Sequence, residues 1–406
     1  MDQRGSPEHR FGGGAFGRLP IGELQTSRRA FLRNVALVGL GATGVAGLVS
    51  ACGGDEAGGQ GTAAPSGASD GGIGSLIGAA PDGTDLVKPG PFDHASETLS
   101  MDDVMGFQVP KAKRRYKMAV MPQSLAGEYF IATVYAAKKA ADEAGVDLTV
   151  ITGEGFASPD VQLSQLSDLL QKNIDAVMLM PADVNGSVAL VELAHSNDIV
   201  MTVNGTLLNS TKVAQAVQSD YAAGQQCADI LAETLGGSGG KGVVIAGPKQ
   251  AAWASLRVAG FEARLKEKYP DITIAAIANQ NFVDPAEGLN TFLDAVQRVP
   301  DIDWIYAVDY NILEAGSIPD RYRGKIRYVA MGLYGSSREA LKAGTVNAIV
   351  GLLPGASGML GLSRAVQQLN GEDVPAITIY PSPVYTADNI DDPASVLETY
   401  PAGYKP

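Results

Sequence analysis

From Tyr116 onward, short apolar runs alternate with segments whose apolar residues recur at helical spacing. "YKMAVMP", "VDLTVITG", "IDAVMLMPA", "DIVMTVNG", "KGVVIAG", "DITIAAIANQ", "IDWIYAVDY" and "IRYVAMG" read as strands. Between them, "YFIATVYAAKKAADEAG", "SPDVQLSQLSDLLQKN", "NGSVALVELAHSN", "AAWASLRVAGFEARLKEKYP", "PAEGLNTFLDAVQRVP" and "SSREALKAG" read as helices. Gly145 and Pro270 supply stop signals, and Ser158 followed by Pro159 reads as an N-cap and first turn. The strands are nearly continuous Val, Ile, Ala and Met, the composition of a parallel sheet covered on both faces. The repeats are too many for one modest sheet, and no linker separates them. The expected fold is therefore α/β, with two doubly wound parallel-sheet lobes joined by a hinge.

The chain before this region is of another kind. Ser27-Arg28-Arg29-Ala30-Phe31-Leu32-Arg33 matches the twin-arginine export pattern, and a short glycine-rich apolar stretch follows. It ends in Leu48-Val49-Ser50-Ala51-Cys52, which resembles the bacterial lipobox, where the cysteine is lipidated. Gly39, Gly41 and Gly44 spell GxGxxG, but no return strand or helix follows, so a dinucleotide-binding turn is rejected. "LGGSGGKG" at 235–242 precedes a strand instead of following one, and is read as a loop. The expected organisation is a twin-arginine lipoprotein signal at 1–51, a flexible Gly/Ser-rich tether at 52–85 and an extension at 86–115. An N-terminal lobe follows at 116–218 plus 353–381, then a C-terminal lobe and tail at 219–352 plus 382–406.

Composition narrows the partners. Forty-five per cent hydrophobic residues and 18% charged ones describe a chain with a real core. A net charge of −13 argues against nucleic acid. Of the two cysteines, Cys52 is assigned to the lipid and Cys227 to a buried thiol without a disulfide. His9, His94 and His195 are too scattered for a metal site, and no cofactor is expected.

In doubly wound sheets the ligand lies outside the carboxyl ends of the strands. The segments to inspect are Gln123 to Phe130, Asp183, Asn204-Gly205, Gln250 to Arg257, Asn279 to Phe282, Asp309 to Asn311, and Leu333-Tyr334. Over 116 to about 390 the chain resembles the type I periplasmic binding proteins, the ribose-binding-protein-like family. "VQLSQLSDLLQKNIDAVMLMPADVNGSVALVELAHSNDIVMTVN", "VQSDYAAGQQCADIL", "SLRVAGFEARL" and "YVAMGLYGSSREALKAGTVNAIVGLLPGASGMLGL" carry that resemblance.

The resemblance implies sugar held between aromatic faces and planar polar groups. Tyr129 and Phe130 fall on the family's first-lobe aromatics, Arg257 on the arginine of its "R…GF" helix, and Asp309 on its Asn or Asp after a strand. Asn204-Gly205 stand where the family has Asp-Arg, Tyr334 where it has an acidic residue, and Leu352 where it has Gln. These departures point to a guest with fewer hydroxyls than an ordinary hexose. Each position also has a plainer reading. Tyr129 and Phe130 could be core, Arg257 a helix-surface ion pair, Asp309 and Asp183 helix caps, and Tyr334 strand-end packing. Trp253 reads as a pocket wall or as interlobe packing.

The leading functional expectation is an extracytoplasmic solute-binding protein, anchored to the membrane through Cys52, at the periplasm or cell surface. It would be a monomer that closes on a small carbohydrate-like solute and presents it to an ABC permease. A ligand-sensing role on a membrane receptor is the alternative. An envelope enzyme is the weaker reading: no Gly-x-Ser-x-Gly elbow, Ser/His/Asp set or metal-ligand cluster supports it. Arg257→Ala is expected to abolish binding and leave the unliganded fold nearly unchanged.

Overall fold

The apolar runs pair into two sheets. A computed structural model describes residues 96–155, 158–208, 210–248, 251–280 and 284–406. The export signal, the tether, Cys52 and the first part of the extension lie outside the described residues, as do Gln250, Asn281 and Phe282.

The first sheet contains β1 (Ser96–Thr98), β2 (Lys117–Met121), β3 (Asp147–Val150), β4 (Ala176–Leu179), β5 (Val200–Gly205), β6 (Ala214–Val217) and β12 (Ile377–Ile379). Their order is β1-β12-β6-β5-β4-β2-β3, and every pair is parallel. The second contains β7 (Gly240–Pro248), β8 (Ile272–Gln280), β9 (Trp304–Ala307), β10 (Arg327–Met331), β11 (Ala348–Val350) and β13 (Val384–Tyr385), in the order β13-β11-β10-β9-β7-β8. It is parallel except where the short edge strand β13 runs antiparallel to β11. Central strands such as β4 and β9 are buried at every position, while the edge strand β8 alternates. Burying one Val, Leu, Ile or Met side chain contributes about 1.5–3 kcal/mol, so these strands anchor the cores.

Helices cover the sheets and deliver residues to one end of them. After the short α1 (Met101–Met105) come α2 (Glu128–Ala144), α3 (Pro159–Leu169), α4 (Gly186–Ser196), α5 (Asp220–Thr234), α6 (Ala252–Lys268), α7 (Pro285–Arg298), α8 (Gly335–Lys342) and α9 (Pro354–Leu369). Helix α2 ends where the sequence places its stop. Gly145 takes φ 82°, and its amide donates to Ala141 O, the left-handed cap that glycine adopts without Cβ strain. Ser158 occupies the N-cap of α3, but its hydroxyl makes no capping bond; Pro159 alone supplies the start signal.

Two glycines bring α5 and α6 together. A Cβ on Gly224 would lie 2.1 Å from Arg257 O, and one on Gly260 would lie 1.9 Å from Tyr221 O. Only glycine at both positions allows this backbone approach. It sets the position of α6, which carries Trp253 and Arg257.

The chain crosses between the sheets after β6, after β11 and after β12. Gln218 Nε2 in the first crossing donates to Gly351 O in the second (3.3 Å) and Pro381 O in the third (2.7 Å). Leu353 enters α9 with φ 42° and ψ 53°, a strained conformation for a residue with a side chain. Glu398, from the C-terminal tail, accepts from the Leu352 and Leu353 amides at 3.1 and 3.0 Å. Beyond it, Tyr404 packs edge-on against Tyr135 of α2 at 4.9 Å. The extension also joins the body. Strand β1 pairs with β12, and Arg364 of α9 forms an ion pair with Glu97 of β1.

Candidate functional site

The carboxyl ends of the strands in both sheets open onto one cavity of about 520 Å³. The first lobe brings Tyr129 and Phe130 from the first turn of α2 and Asn204 from the end of β5. The second brings Trp253 and Arg257 from α6, Asp309 from the loop after β9, and Tyr334 from the N-cap of α8. These seven positions thus line a single cavity. Gly205 and Leu352, two of the departures from the family pattern, line it too. Asp183 does not; its Oδ1 accepts from the Asn185 and Gly186 amides at the start of α4, the plainer reading given above.

Arg257 organises the second-lobe wall. Its residue is only 6% exposed. Nε donates to Asp220 Oδ1 at 2.8 Å and Nη1 to Val308 O at 2.9 Å, while Nη1 stands 3.8 Å from Asp309 Oδ2. The guanidinium lies over the Trp253 ring, 4.6 Å from its centroid, the geometry of a cation–π contact. Asp309 Oδ1 accepts from the Asn311 amide (2.9 Å), capping the 3-10 turn Tyr310–Ile312, and Oδ2 accepts from the Tyr334 hydroxyl (3.0 Å). Asp309 therefore caps a turn while facing the cavity.

Burial pushes the Asp309 carboxyl up to about 6, with the Arg257 charge opposing the shift. Asp220 is raised for the same reason against the same opposing charge. Burial works against the Arg257 charge as well, but Asp220 and Asp309 outweigh it and hold the guanidinium protonated. The Tyr334 hydroxyl is raised well above its usual range by burial and by Asp309, so it remains a hydrogen-bond donor.

The first-lobe wall is simpler. The Tyr129 and Phe130 rings meet edge to face, with centroids 5.6 Å apart and planes at 85°. Asn204 is fully buried. Its Nδ2 donates to Ser357 O at 2.6 Å, and its Oδ1 has no hydrogen-bond partner among the described residues.

Three carboxylates complete the lining: Glu128, Glu154 and Glu314. Glu128 falls within Gln123 to Phe130, after the end of β2, where the strand-end rule points. Glu154 follows the end of β3, so the strand-end rule applied to "VDLTVITG" would have reached it. Glu314 lies beyond a 3-10 turn after β9, and no local pattern signals it. Among the described residues, no group of acidic, histidine or cysteine side chains could hold a metal ion.

A family model described as "Periplasmic binding protein domain" matches residues 118–373. The chain belongs to that family. The xylitol-binding protein of Mycolicibacterium smegmatis is 28% identical over 240 residues, covering 57% of this chain and 66% of that one. The periplasmic protein TorT of Escherichia coli K12 is 23% identical over 326 residues, covering 78% and 92%. Among solved structures, the substrate-binding protein of a sugar ABC transport system from Bordetella parapertussis superposes with a TM-score of 0.69 at 19% identity, over 75% of this chain and all of that one. This family member thus has the two-lobed α/β architecture of the type I binding proteins, as expected from its strand–helix alternation.

Proposed function

We propose that this periplasmic binding protein is a lipid-anchored, extracytoplasmic component of an ABC importer that captures a small sugar or sugar-like solute by closure of its two lobes. The observation that carries this reading is the cavity itself: about 520 Å³, at the strand ends of both sheets, with aromatic faces on both sides and a fixed polar cluster on one. That is the size and make-up of a small-molecule site. Crossings tied together by Gln218 and Glu398 provide the hinge. The names of the xylitol-binding and sugar-transport relatives favour a polyol or sugar.

On this reading Tyr129, Phe130 and Trp253 cover the apolar faces of the guest. Asn204, Arg257, Asp309 and Tyr334 address its polar edge. The site performs no chemistry and requires no cofactor. The twin-arginine signal and Cys52 give the export route and the anchor. Among the described residues no helix is long and apolar enough to cross a membrane.

The test is a thermal-shift screen of the protein against sugars and polyols, xylitol among them. A true ligand at 100 times its Kd should add about 2.7 kcal/mol. Trp253→Ala should remove most of that gain. A screen in which no sugar or polyol raises the melting temperature would overturn the reading.

A further inference from the structure

The cavity lining is unbalanced in charge. Its charged side chains, among the described residues, are the carboxylates Glu128, Glu154, Asp309 and Glu314 and the single guanidinium of Arg257. That guanidinium is already paired with Asp220 and stands against Asp309. The acidic groups also come from opposite lobes. Glu128 opens α2 of the first lobe, yet its Oε2 accepts from the Gly335 amide at the start of α8 in the second, at 3.4 Å. Burial and the neighbouring Glu314 of the second lobe both raise the Glu128 carboxyl. Bringing the lobes together therefore sets like charges toward each other, at a cost that a positive charge between them offsets.

Hydrogen bonding runs the same way. Several donors at the cavity are already engaged. Nε and Nη1 of Arg257 reach Asp220 and Val308, Nδ2 of Asn204 reaches Ser357, Nε2 of Gln123 reaches Pro181, and the Tyr334 hydroxyl reaches Asp309. Carboxylate oxygens of Glu154 and Glu314 remain on the lining as acceptors. The complementary guest is rich in donors, and an ammonium group offers donors only. A metal ion does not fit, because the carboxylates do not cluster as a ligand set among the described residues.

We propose that the solute is a small hydroxylated amine, such as an amino sugar or amino polyol, whose protonated nitrogen engages Glu128 and Glu314. The inference rests on the solute-binding reading above and narrows it. An acidic or phosphorylated sugar is excluded by the same charges.

Isothermal titration of the full protein at neutral pH tests it with matched probes: glucamine against sorbitol, and glucosamine against glucose and N-acetylglucosamine. The amine should bind on the order of tenfold tighter than its uncharged counterpart. The preference should shrink as salt rises, since the carboxylates are partly exposed. In the Glu128→Gln/Glu314→Gln double variant the ratio should fall toward one. Uncharged members binding as tightly as the amines would overturn the inference and leave the solute-binding reading standing. An amine preference that survives in the double variant, or that is indifferent to salt, would overturn it as well. Failure of every probe of both kinds, in a protein that also failed the wider screen, would overturn the reading and the inference together.

Discussion

The two lobes wall the same cavity by different means. The first presents aromatic faces, Tyr129 and Phe130, held by packing at the start of one helix. The second presents a buried polar chain running from Asp220 through Arg257 and Asp309 to Tyr334. A wall of the first kind survives the loss of a member, because truncating a half-buried ring forfeits only part of its transfer free energy. A wall of the second kind does not, because removing one ion leaves its partner charged and dry. The second lobe thus binds its fold and its site together, whereas the first keeps them separable.

Arg257→Ala gives the largest expected effect. It strands Asp220 and should destabilise the unliganded protein by about 3–5 kcal/mol in urea unfolding. This corrects the expectation, drawn from the sequence, that the substitution would spare the fold: the arginine is buried and paired, not on a helix surface. Phe130→Ala, the matched change across the cavity, should cost less than about 2 kcal/mol. Equal costs for the two would break the comparison.

Next comes Gly260→Ala. The new methyl would collide with Tyr221 O, prise α6 from α5 and cost about 1–3 kcal/mol. Because α6 carries both Trp253 and Arg257, ligand affinity should fall with stability. A variant with normal stability and normal affinity would show that the helix contact does not position the wall.

The last expected effect is read as a slope with pH and concerns the crossings between the lobes. Burial pushes the Glu398 carboxyl up to about 8, with the Leu352 and Leu353 amides, the Tyr385 hydroxyl and Arg338 opposing. Its folded value lies above its ordinary 4.5. The sign follows: this group's contribution is complete below 4.5 and declines as pH rises through about 8. Between those values wild type should lose stability relative to Glu398→Gln by at most about 1.4 kcal/mol per pH unit, read from melting curves. Parallel pH profiles for the two proteins would show that Glu398 does not titrate against the crossing.

Much of the site's location was legible in the sequence. Strand ends follow from local periodicity, and all seven chosen positions lie at or near those ends around one cavity. Glu314 was illegible because a 3-10 excursion carries it back to the cavity. The role of Arg257 was half legible: its place on the helix could be read, its partner could not. Asp220 stands 37 residues away on another helix, and only the glycine contact between α5 and α6 brings the two together.

By itself the sequence determined the alternation of strand and helix, the two-lobed α/β fold that follows, and the end of the sheets where residues gather. Side-chain period and turn residues act over a few positions, so they can be read locally. The tertiary structure alone decided which charges come together: Arg257 with Asp220, Glu128 of one lobe and Glu314 of the other on one cavity, and the tail's Glu398 on the crossing at Leu352 and Leu353. Those pairings depend on how the helices pack and where the crossings pass. Electrostatic energy depends on distance and burial in space, which separation along the chain does not encode.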